Sequence, residues 1–555
     1  MRRVQPAMGM DQRSHRWNFR IHCQGEGVVM IQISQLKLPI AHSPEDLERK
    51  IARLLKTAPE NFSWEIARQS LDARHKNDKQ FVYTIEVRSS DERKIVKKVN
   101  NKNIMLTNGE KYRFPDTGST PMHTRPVIIG AGPAGLFCGW YLARAGFSPL
   151  LLERGECASV RTETVRSFWK NGILDPDSNV QFGEGGAGTF SDGKLNTLVK
   201  DPCGRNKEVL LRFTEAGAPR TILYQNKPHL GTDLLVSIVQ ELRRQIISMG
   251  GEVRFSSKVT DLTPVTDGVE VTVNDEEKIR TQACVLAIGH SARDTFRMLH
   301  ENHIPMLAKS FAVGIRMEHP QDLINMALYG ELENRILGPA AYKVTHTCAN
   351  GRGVYSFCMC PGGYVVNASS EPGHLAINGM SYHERDSRNA NSALIVTVTP
   401  EDFPDEGALG GVAFQRRLEK AAWEVGEGRI PVQLYKDFHD RRESTGPGSI
   451  SPCICGSHIY GNVRSLFPTV IGDSIDEGIL AFDTKIHGFA MDDALISGIE
   501  SRTSSPVRIL RDPVTLQSLQ GLYPCGEGAG YAGGITSAAM DGIRIAEAIA
   551  REYHP

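Results

Sequence analysis

The sequence of 555 residues lacks an excess of either charge, since 64 Lys and Arg residues are balanced by 64 Asp and Glu residues. A balanced chain has no overall field that recruits nucleic acid or an acidic membrane surface. It also lacks a membrane-spanning run, because the apolar stretch Val127 to Ala145 contains a turn of glycine and alanine and the charged Arg144, which do not suit a bilayer core. We therefore expect no membrane span and no nucleic-acid partner.

A secretory signal is also missing. Met1 to Arg20 is basic and polar and has no apolar central region, which a signal peptide requires. We expect this segment to be a disordered tail and the protein to be cytoplasmic, or organellar if the segment is a transit peptide. The 11 cysteines are scattered and odd in number, which favours reduced thiols over a disulfide framework.

Two hydrolase motifs are absent. The chain contains neither H-E-x-x-H nor G-x-S-x-G, which excludes the zinc proteases and the α/β-hydrolases that carry them. We predict no metal site. Glycine, in contrast, is plentiful at 53 residues, as expected where backbone lies close to a cofactor.

A glycine-rich turn lies within Arg125 to Gly155. Val127 to Ile129 is a short apolar run suited to a buried parallel strand. Gly130, Gly132 and Gly135 then supply the glycines of G-x-G-x-x-G. In this motif the first glycine permits a sharp turn, the second lets a pyrophosphate approach the backbone, and the third lets helix pack on strand.

The residues after this turn complete a dinucleotide-binding unit. Leu136 to Ala145 predicts a helix, whose N-terminal amides and dipole favour phosphate. Phe147 to Leu152 predicts the next strand, and Glu153 stands at its end, where a carboxylate can accept hydrogen bonds from ribose hydroxyls. The G-x-G-x-x-G motif alone is weak evidence. Followed by a helix, a strand and an acid in the expected order, it predicts a bound dinucleotide.

The C-terminal region indicates which dinucleotide. Leu519 to Tyr531 runs into Gly526 and Glu527, and Gly533 to Thr536 opens a helix with a largely apolar face. This region resembles the C-terminal signature of flavoproteins with the glutathione-reductase-type FAD fold. The resemblance implies that Glu527 contacts the ribityl chain, although many such proteins have Asp there, and that the helix N-terminus faces the flavin.

A third segment supports FAD. Ala283 to Gly289 is an apolar strand that ends on glycine, and it follows Gly251 to Val273, whose alternation predicts a small β-meander. In the glutathione-reductase-type fold such a meander returns the chain to the dinucleotide sheet. The resemblance therefore implies that Val259 lies near the adenine.

The first hundred residues predict a separate module. Val28 to Leu38 alternates as a strand, Ser43 is a plausible N-cap for a helix with one apolar face, and Phe62 to Leu71 and Phe81 to Val87 supply more strand. We predict a small α+β layer of the ferredoxin-like kind. Its basic end, Lys94 to Lys102, suits RNA, a peptide or another subunit, but a structural or docking role with a solvated charged edge is the favoured alternative.

Several further segments resemble the uncharacterised FAD-dependent dehydrogenase family of bacteria and plant organelles. The first of them, Asn179 to Leu195, contains five glycines and shows no helical or strand periodicity. The others are His290 to Thr295, Tyr355 to Gly363, Asn389 to Ala393, Glu500 to Val507 and Gly526 to Gly534. The likeness extends over nearly the whole chain. It implies an FAD domain assembled from two chain segments on either side of an inserted substrate domain, and it implies no particular substrate.

We accordingly predict an α/β protein with a glutathione-reductase-type, Rossmann-like FAD domain, an inserted α+β substrate domain and a small N-terminal α+β module. The predicted boundaries are 1–20 for the tail, 21–105 for the module, 106–124 for a linker, 125–309 and 484–555 for the FAD domain, and 310–483 for the insertion. The predicted FAD contacts are Gly130, Gly132, Pro133, Ala134, Gly135, Glu153, Arg154, Gly185, Gly186, Ser191, Lys194, Val259, Gly289, Gly526, Glu527, Gly534, Ile535 and Thr536.

The sequence has no second G-x-G-x-x-G on a strand-helix unit, which argues against a dedicated NAD(P)H domain. Electrons would then come from the substrate, from NAD(P)H that docks transiently, or from a partner protein. We predict an oxidoreductase that transfers a hydride between flavin N5 and a small organic substrate. The alternatives are a flavoprotein that modifies or binds RNA through the N-terminal module, and a non-catalytic scaffold stabilised by FAD.

Three residues are candidates for catalysis. Arg502 suits an anionic substrate or a reduced flavin, and a structural salt bridge is an equal alternative. Cys358 and Cys360 form one of two C-x-C pairs, and the other is Cys453 with Cys455. Such pairs suit a thiol relay to flavin or a metal, but buried cysteines are often only small apolar residues.

Overall fold

The N-terminal module has the ferredoxin-like topology. The computed structural model describes residues 28–74, 78–109, 112–330, 337–403, 405 and 407–555, so the predicted tail lies outside the described residues. The module consists of β1 (Val28–Pro39), α1 (Pro44–Leu55), β2 (Phe62–Asp72), β3 (Gln80–Ser89), α2 (Glu92–Val99) and β4 (Ile104–Gly109). Its antiparallel sheet has the order β2-β3-β1-β4, which is the ferredoxin-like arrangement.

The first helix of the module begins as the sequence predicts. Ser43 caps α1 by accepting a hydrogen bond from the Asp46 amide at 3.3 Å, and the Asp46 carboxylate accepts one from the Ser43 amide at 2.9 Å. Leu47, Ile51 and Leu55 on one face of the helix are buried. The module extends beyond its predicted end at 105, because β4 continues to Gly109 and pairs there with β1.

The second part of the chain, up to residue 308, contributes most of a nucleotide-binding unit. Its elements are β5 (Thr120–Pro121), β6 (Val127–Ile129), α3 (Pro133–Arg144), β7 (Leu150–Leu152), α4 (Ala158–Asn171), α5 (Arg205–Glu215), α6 (Gly231–Ser248), β8 (Glu252–Arg254), β9 (Val259–Val265), β10 (Gly268–Val273), β11 (Glu277–Thr281), β12 (Cys284–Leu286), α7 (Arg293–Glu301) and β13 (Met306–Ala308).

The third part of the chain, residues 311–500, forms an α+β unit that we call the second unit, to distinguish it from the nucleotide-binding unit. Its elements are β14 (Phe311–Pro320), α8 (Gln321–Tyr329), β15 (Thr345–Thr347), β16 (Gly353–Cys360), β17 (Tyr364–Asn367), β18 (Ile377–Met380), β19 (Asn389–Val398), α9 (Gly410–Gly426), β20 (Ile430–Leu434), α10 (Tyr435–His439), β21 (Ile454–Cys455), β22 (His458–Tyr460), α11 (Thr469–Asp483) and β23 (Leu495–Glu500). The chain then ends with β24 (Val507–Ile509), β25 (Leu522–Pro524), α12 (Ile535–Glu552) and β26 (Tyr553–His554).

A five-stranded parallel sheet organises the nucleotide-binding unit. Its order is β25-β12-β6-β7-β8, so strands from both ends of the chain meet in one sheet. Strands β6, β7, β12 and β25 are buried at every position, as parallel strands covered on both faces are. Helices α3 and α12 pack together beside the sheet.

The predicted meander is displaced along the chain. Strands β9, β10 and β11, from Val259 to Thr281, form the three-stranded antiparallel sheet. Glu252–Arg254 instead forms β8 and pairs with β7 in the parallel sheet. The meander predicted over Gly251 to Val273 was therefore wrong in its first residues, because their short alternating run fits a sheet edge equally well.

The second unit is built on a seven-stranded sheet with the order β15-β16-β19-β14-β23-β20-β22. Leu495–Glu500 lies within this sheet as β23, paired with β14 and β20. The boundary predicted at 483 is therefore too early, and the chain returns to the nucleotide-binding unit only after about residue 503. The chain passes from the nucleotide-binding unit to the second unit after β13 and returns before β24. These two short strands pair with each other in antiparallel fashion. Within the described residues, no helix combines the length and apolar character needed to cross a bilayer.

Candidate functional site

A cavity of about 480 Å³ lies where the two units meet. On the nucleotide side its walls are the turn after β6, the end of β7, a glycine-rich segment between Gln181 and Lys194, the residues after β12 and the start of α12. On the other side its walls are residues 341–343, 356–359 and 500–503 of the second unit.

Two helix N-termini open onto this cavity. Helix α3 follows Gly132 and helix α12 follows Gly534, and neither N-cap residue offers a side chain to the free amides. Pro133 at the first position of α3 needs no hydrogen-bond partner for its nitrogen. Unpaired amides and the positive end of a helix dipole form a favourable site for a phosphate or another electron-rich group.

Four glycines border the cavity with open space where a side chain would begin. Among the described residues, a Cβ atom on Gly289, Gly533 or Gly534 would meet no atom within 4 Å, and one on Gly132 would meet only the Gly186 Cα, at 3.9 Å. All four line the cavity. These open glycines together with the two uncapped helices fit the pyrophosphate and ring system of FAD.

Gly135 has a different role. A Cβ there would lie 1.9 Å from the Gly130 carbonyl oxygen, so this glycine allows α3 to pack against the turn. Gly185, Gly526 and Thr536 also lie behind the cavity wall. The Gly185 amide donates to the Ala131 carbonyl at 2.8 Å, and the Thr536 hydroxyl donates to the Leu195 carbonyl at 2.7 Å.

The remaining predicted FAD contacts line the cavity directly. They are Gly130, Gly132, Pro133, Ala134, Glu153, Arg154, Gly186, Ser191, Lys194, Val259, Gly289, Glu527, Gly534 and Ile535. Glu527 lies beside Lys309, and burial raises the pKa of its carboxyl to about 7. The local motifs thus converge on one cavity from four separate parts of the chain.

Glu153 has more partners than the motif suggests. One carboxylate oxygen accepts from the Ala131 amide at 2.8 Å, and the other accepts from the amides of Gly155 and Gly183 at 3.0 and 2.9 Å. A carboxylate has about four acceptor positions, so one remains for a ribose hydroxyl. Glu153 therefore also fixes the glycine-rich segment against the turn after β6.

Arg161 on α4 is a residue that the sequence analysis missed. Its guanidinium is fully buried and donates to the carbonyls of Asn179, Val180, Gly183, Glu184 and Gly186 at 2.8 to 3.3 Å. Burial lowers its pKa only to about 10, so the group stays cationic at neutral pH. The glycine-rich segment is therefore wrapped around one buried cation, and no local pattern marks that cation.

Asp192, an acid of the glycine-rich segment, joins this segment to the second unit. Asp192 is fully buried and forms ion pairs with Lys194 at 2.8 Å and with Arg385 at 2.5 Å. Burial alone would raise its pKa, but Lys194 and Arg385 hold the pKa of Asp192 at about 2. The contact between Asp192 and Arg385 connects the glycine-rich segment to the second unit.

Arg502 takes part in a buried cluster of charges. Its Nε and Nη2 donate to Glu419 at 3.0 and 2.8 Å, and its Nη1 donates to the Ser370 hydroxyl. Arg293 also donates to both Glu419 oxygens, at 2.7 Å. Every guanidinium nitrogen of Arg502 has a partner, which favours the structural salt bridge over the predicted anchoring of a substrate.

Replacing Glu419 by Gln is expected to destabilise the protein. Glu419 is fully buried, and its loss of charge leaves Arg502 without its ion-pair partner and leaves Arg293 with Glu371 alone. Removing one partner of a buried pair costs about 3–5 kcal/mol, to be measured by denaturant unfolding of the FAD-free protein. The control is Glu424→Gln on the exposed face of the same helix, where the pair with Lys420 is 3.9 Å long and well solvated, so its loss should cost under about 1 kcal/mol. Equal effects of the two changes would contradict this role of Glu419.

His290 lines the cavity and was also missed as a ligand residue. It is 9% exposed, and its Nε2 has no hydrogen-bond partner in the described part of the chain. Burial lowers the pKa of this imidazole to about 4, so the ring is neutral. A buried imidazole nitrogen without a partner, beside a cavity, suits a hydrogen bond to a bound molecule.

The two C-x-C pairs lie in different places. Cys358 lines the cavity, and Cys360 is fully buried behind it. Cys453 and Cys455 lie outside the cavity wall, and Cys455 belongs to β21. The structure therefore brings one of the pairs to the site.

Three segments of the chain match known families. Residues 310–503 match the family described as FAD-dependent protein, C-terminal domain-like, residues 128–194 match the NAD(P)-binding Rossmann-like domain, and residues 30–88 match a domain of unknown function. A protein of Clostridium beijerinckii, described as uncharacterized, is 46% identical over 530 residues, which is 94% of this chain and 99% of the relative.

The solved structures to which the chain is similar include two halogenating enzymes. A variant of the flavin-dependent brominase Bmp2 has a TM-score of 0.34 and 13% identity, over 77% of this chain and 80% of that one. The FAD complex of a variant of the halogenase PltM has a TM-score of 0.34 and 12% identity, over 76% of this chain and 67% of that one.

The fold and the cavity define an α/β flavoprotein, with one Rossmann-like FAD domain interrupted by an α+β unit. The chain belongs to a family of FAD-dependent proteins that includes the clostridial relative. This confirms the family and the cofactor that the glycine-rich segments of the sequence predicted.

Proposed function

We propose that the protein is an FAD-dependent oxidoreductase that transfers a hydride between flavin N5 and a small organic substrate held by the second unit. The observation that carries this proposal is that both units line one cavity. This cavity joins the two open helix N-termini to polar side chains of residues 341–343, 356–359 and 500–503. A scaffold that only stored FAD would not need a second wall of this kind.

The nucleotide side of the cavity offers a place for each part of FAD. The start of α3, with Gly132, would hold the pyrophosphate, Glu153 the adenosine ribose, and Val259 the adenine edge. The start of α12, with Gly534, would face the flavin ring, and Glu527 would face the ribityl chain. Bound FAD supplies the hydride-transferring N5 atom, and the protein supplies position and charge.

Both sides of the cavity offer cations to the substrate, with Lys194 and Lys227 on the nucleotide side and Lys343 and Arg385 on the second unit. Lys227 and Lys343 line the cavity, are exposed, and form no ion pair within the described residues. Lys194 and Arg385 are held in place there by Asp192. Free ammonium groups beside a partly closed cavity favour an anionic substrate, so we propose that the substrate carries a carboxylate or another negative group.

The electron donor is tested by an anaerobic titration of the purified holoprotein. The flavin band near ~450 nm is followed during addition of NADH, then NADPH, then dithionite. We expect bleaching to be complete at two electrons per flavin. Bleaching by a nicotinamide would identify a reductase to which NAD(P)H docks transiently. Bleaching by dithionite alone would identify a dehydrogenase that its own substrate reduces.

Two other outcomes would contradict the proposal. A flavin that stays oxidised with every donor would favour the FAD-stabilised scaffold. A purified protein that contains no flavin and takes up none from added FAD would contradict the assignment of the cavity itself.

A further inference from the structure

Cys358 occupies an unusual position on the wall of the cavity. The pairing of β16 with β19 is regular up to Phe357 opposite Ala393 and resumes at Cys360 opposite Asn391. Between these two pairs β16 advances by three residues and β19 by two, so β16 contains one extra residue, which is a β-bulge. Bulges change the direction of a side chain and are frequent beside active sites.

The bulge places Cys358 in the left-handed backbone region, with φ of 43°. Residues other than glycine adopt this conformation at an energetic cost and are enriched at functional sites. The consequence here is that Cys358 faces the cavity, while Cys360, two residues later, lies fully buried behind it. An alternating strand would have put both side chains on one face.

The two cysteines are adjacent on the bulge, and the Cys360 thiol donates to the Cys358 carbonyl oxygen at 3.2 Å. The neighbouring Cys360 thiol lowers the pKa of Cys358, and the same proximity raises the pKa of Cys360. The charged groups that face Cys358 are the cations Lys194 and Arg316 and the acids Asp192, Glu500 and Glu527.

Two of those acids are already neutralised by cations. Asp192 binds Lys194 and Arg385, and Glu500 accepts from Arg316 at 2.9 Å. Arg316 also donates to the Cys358 carbonyl at 3.2 Å, and Lys194 donates to the Met359 carbonyl. A buried cation, Arg316, and a partly exposed one, Lys194, are thus fixed beside the bulge by backbone contacts, as in sites that activate a cysteine.

We propose that Cys358 and Cys360 form a redox-active pair, in which Cys358 attacks a small disulfide that enters the cavity and Cys360 resolves the product. The Cys358 thiolate forms a bond to one sulfur of RS–SR, the S–S bond breaks, and RS⁻ leaves. Cys360 then gives its proton to the first RS⁻, forms a bond to the Cys358 sulfur and releases the second RS⁻. The protein pair loses two electrons, which RS–SR gains, and two equivalents of a small thiol reverse the exchange.

This inference rests on the proposed function and deepens it, since it gives the second wall of the cavity a class of substrate. The flavin content and the anaerobic titration of each variant are measured in parallel. A failure of the thiol chemistry with normal flavin behaviour would overturn this inference alone. A loss of flavin from the wild-type protein would overturn the proposed function instead.

The thiolate is tested by alkylation of the holoprotein with iodoacetamide between pH 5 and 9, read by peptide mass spectrometry. Cys358 is expected to keep at least half of its maximal rate at pH 6, where an ordinary thiol of pKa 8.5 keeps about 0.3%. Cys455 of the other C-x-C pair is the control, because burial raises its pKa to about 12. A rate for Cys358 that rises only above pH 8 would overturn the proposal.

The exchange is tested with 2-hydroxyethyl disulfide. We expect the wild-type protein to release two thiols and to lose the mass of two hydrogens as the internal disulfide forms. Cys360→Ser should release one thiol and retain a mixed disulfide on Cys358, Cys358→Ser should release none, and Cys455→Ser should behave as wild type. Release of no thiol by the wild-type protein, or of equal amounts by all variants, would overturn the proposal.

Discussion

Replacing Gly132 by Val is expected to abolish FAD binding and to leave the FAD-free protein folded. A Cβ at this position meets only the Gly186 Cα, at 3.9 Å, so the new side chain fits the protein but fills the space in front of α3. The pyrophosphate would then lose its contacts with the helix amides, and charge-assisted hydrogen bonds of this kind contribute about 1.5–3 kcal/mol each. Two such bonds correspond to a loss of affinity of roughly a hundredfold or more.

The measurement is a titration of the FAD-free protein with FAD, followed by quenching of the flavin fluorescence, beside thermal unfolding without FAD. Gly353→Val is the matched control, because a Cβ there also meets no atom within 4 Å but Gly353 lies on β16 away from the cavity. Gly135→Ala should instead unfold the protein, since its Cβ would lie 1.9 Å from the Gly130 oxygen. Stoichiometric FAD in Gly132→Val would refute the placement of the cofactor.

The parts of the site that the sequence predicts are those encoded within a few residues. The glycine turn after β6, the acid after β7 and the open start of α12 each follow from a local pattern, and all three border the cavity. The capped start of α1 at Ser43 follows from local chemistry in the same way. The approach of these segments to one another was inferred from their order along the chain and from the family resemblance.

What the sequence does not predict depends on contacts between distant residues. Strand β23 reads as part of the C-terminal segment, but it pairs with β14 about 180 residues earlier in the chain, and such pairing leaves no local signal. The bulge at Cys358 likewise requires knowledge of its partner strand. Glu419 and Asp192 are ordinary acids in the sequence, and only their burial beside two cations each shows their role.

Arg161 is the strongest example of such a contact, and its replacement by Met is expected to have a large effect on both stability and FAD binding. The guanidinium donates to five carbonyls between Asn179 and Gly186, and Met fills a similar volume without a single donor. Leaving buried acceptors unpaired is costly, and we expect a loss of about 3–5 kcal/mol. Arg161→Lys should recover little, because one ammonium cannot reproduce the planar fork that reaches five acceptors.

The effect on FAD follows from where those carbonyls lie. The segment held by Arg161 also contacts Glu153 through the Gly183 amide and the turn after β6 through the Gly185 amide, so its release would disorder the wall that faces the pyrophosphate. Hydrogen exchange should show lost protection in residues 179–186 before the parallel sheet opens, and the purified variant should contain little flavin. Arg166→Met is the control, because Arg166 is on the same helix, its side chain is 59% exposed, and within the described part of the chain its ion pair is with Glu163 alone. If Arg161→Met and Arg166→Met retained equal flavin and equal stability, the buried cation would not be what holds this wall in place.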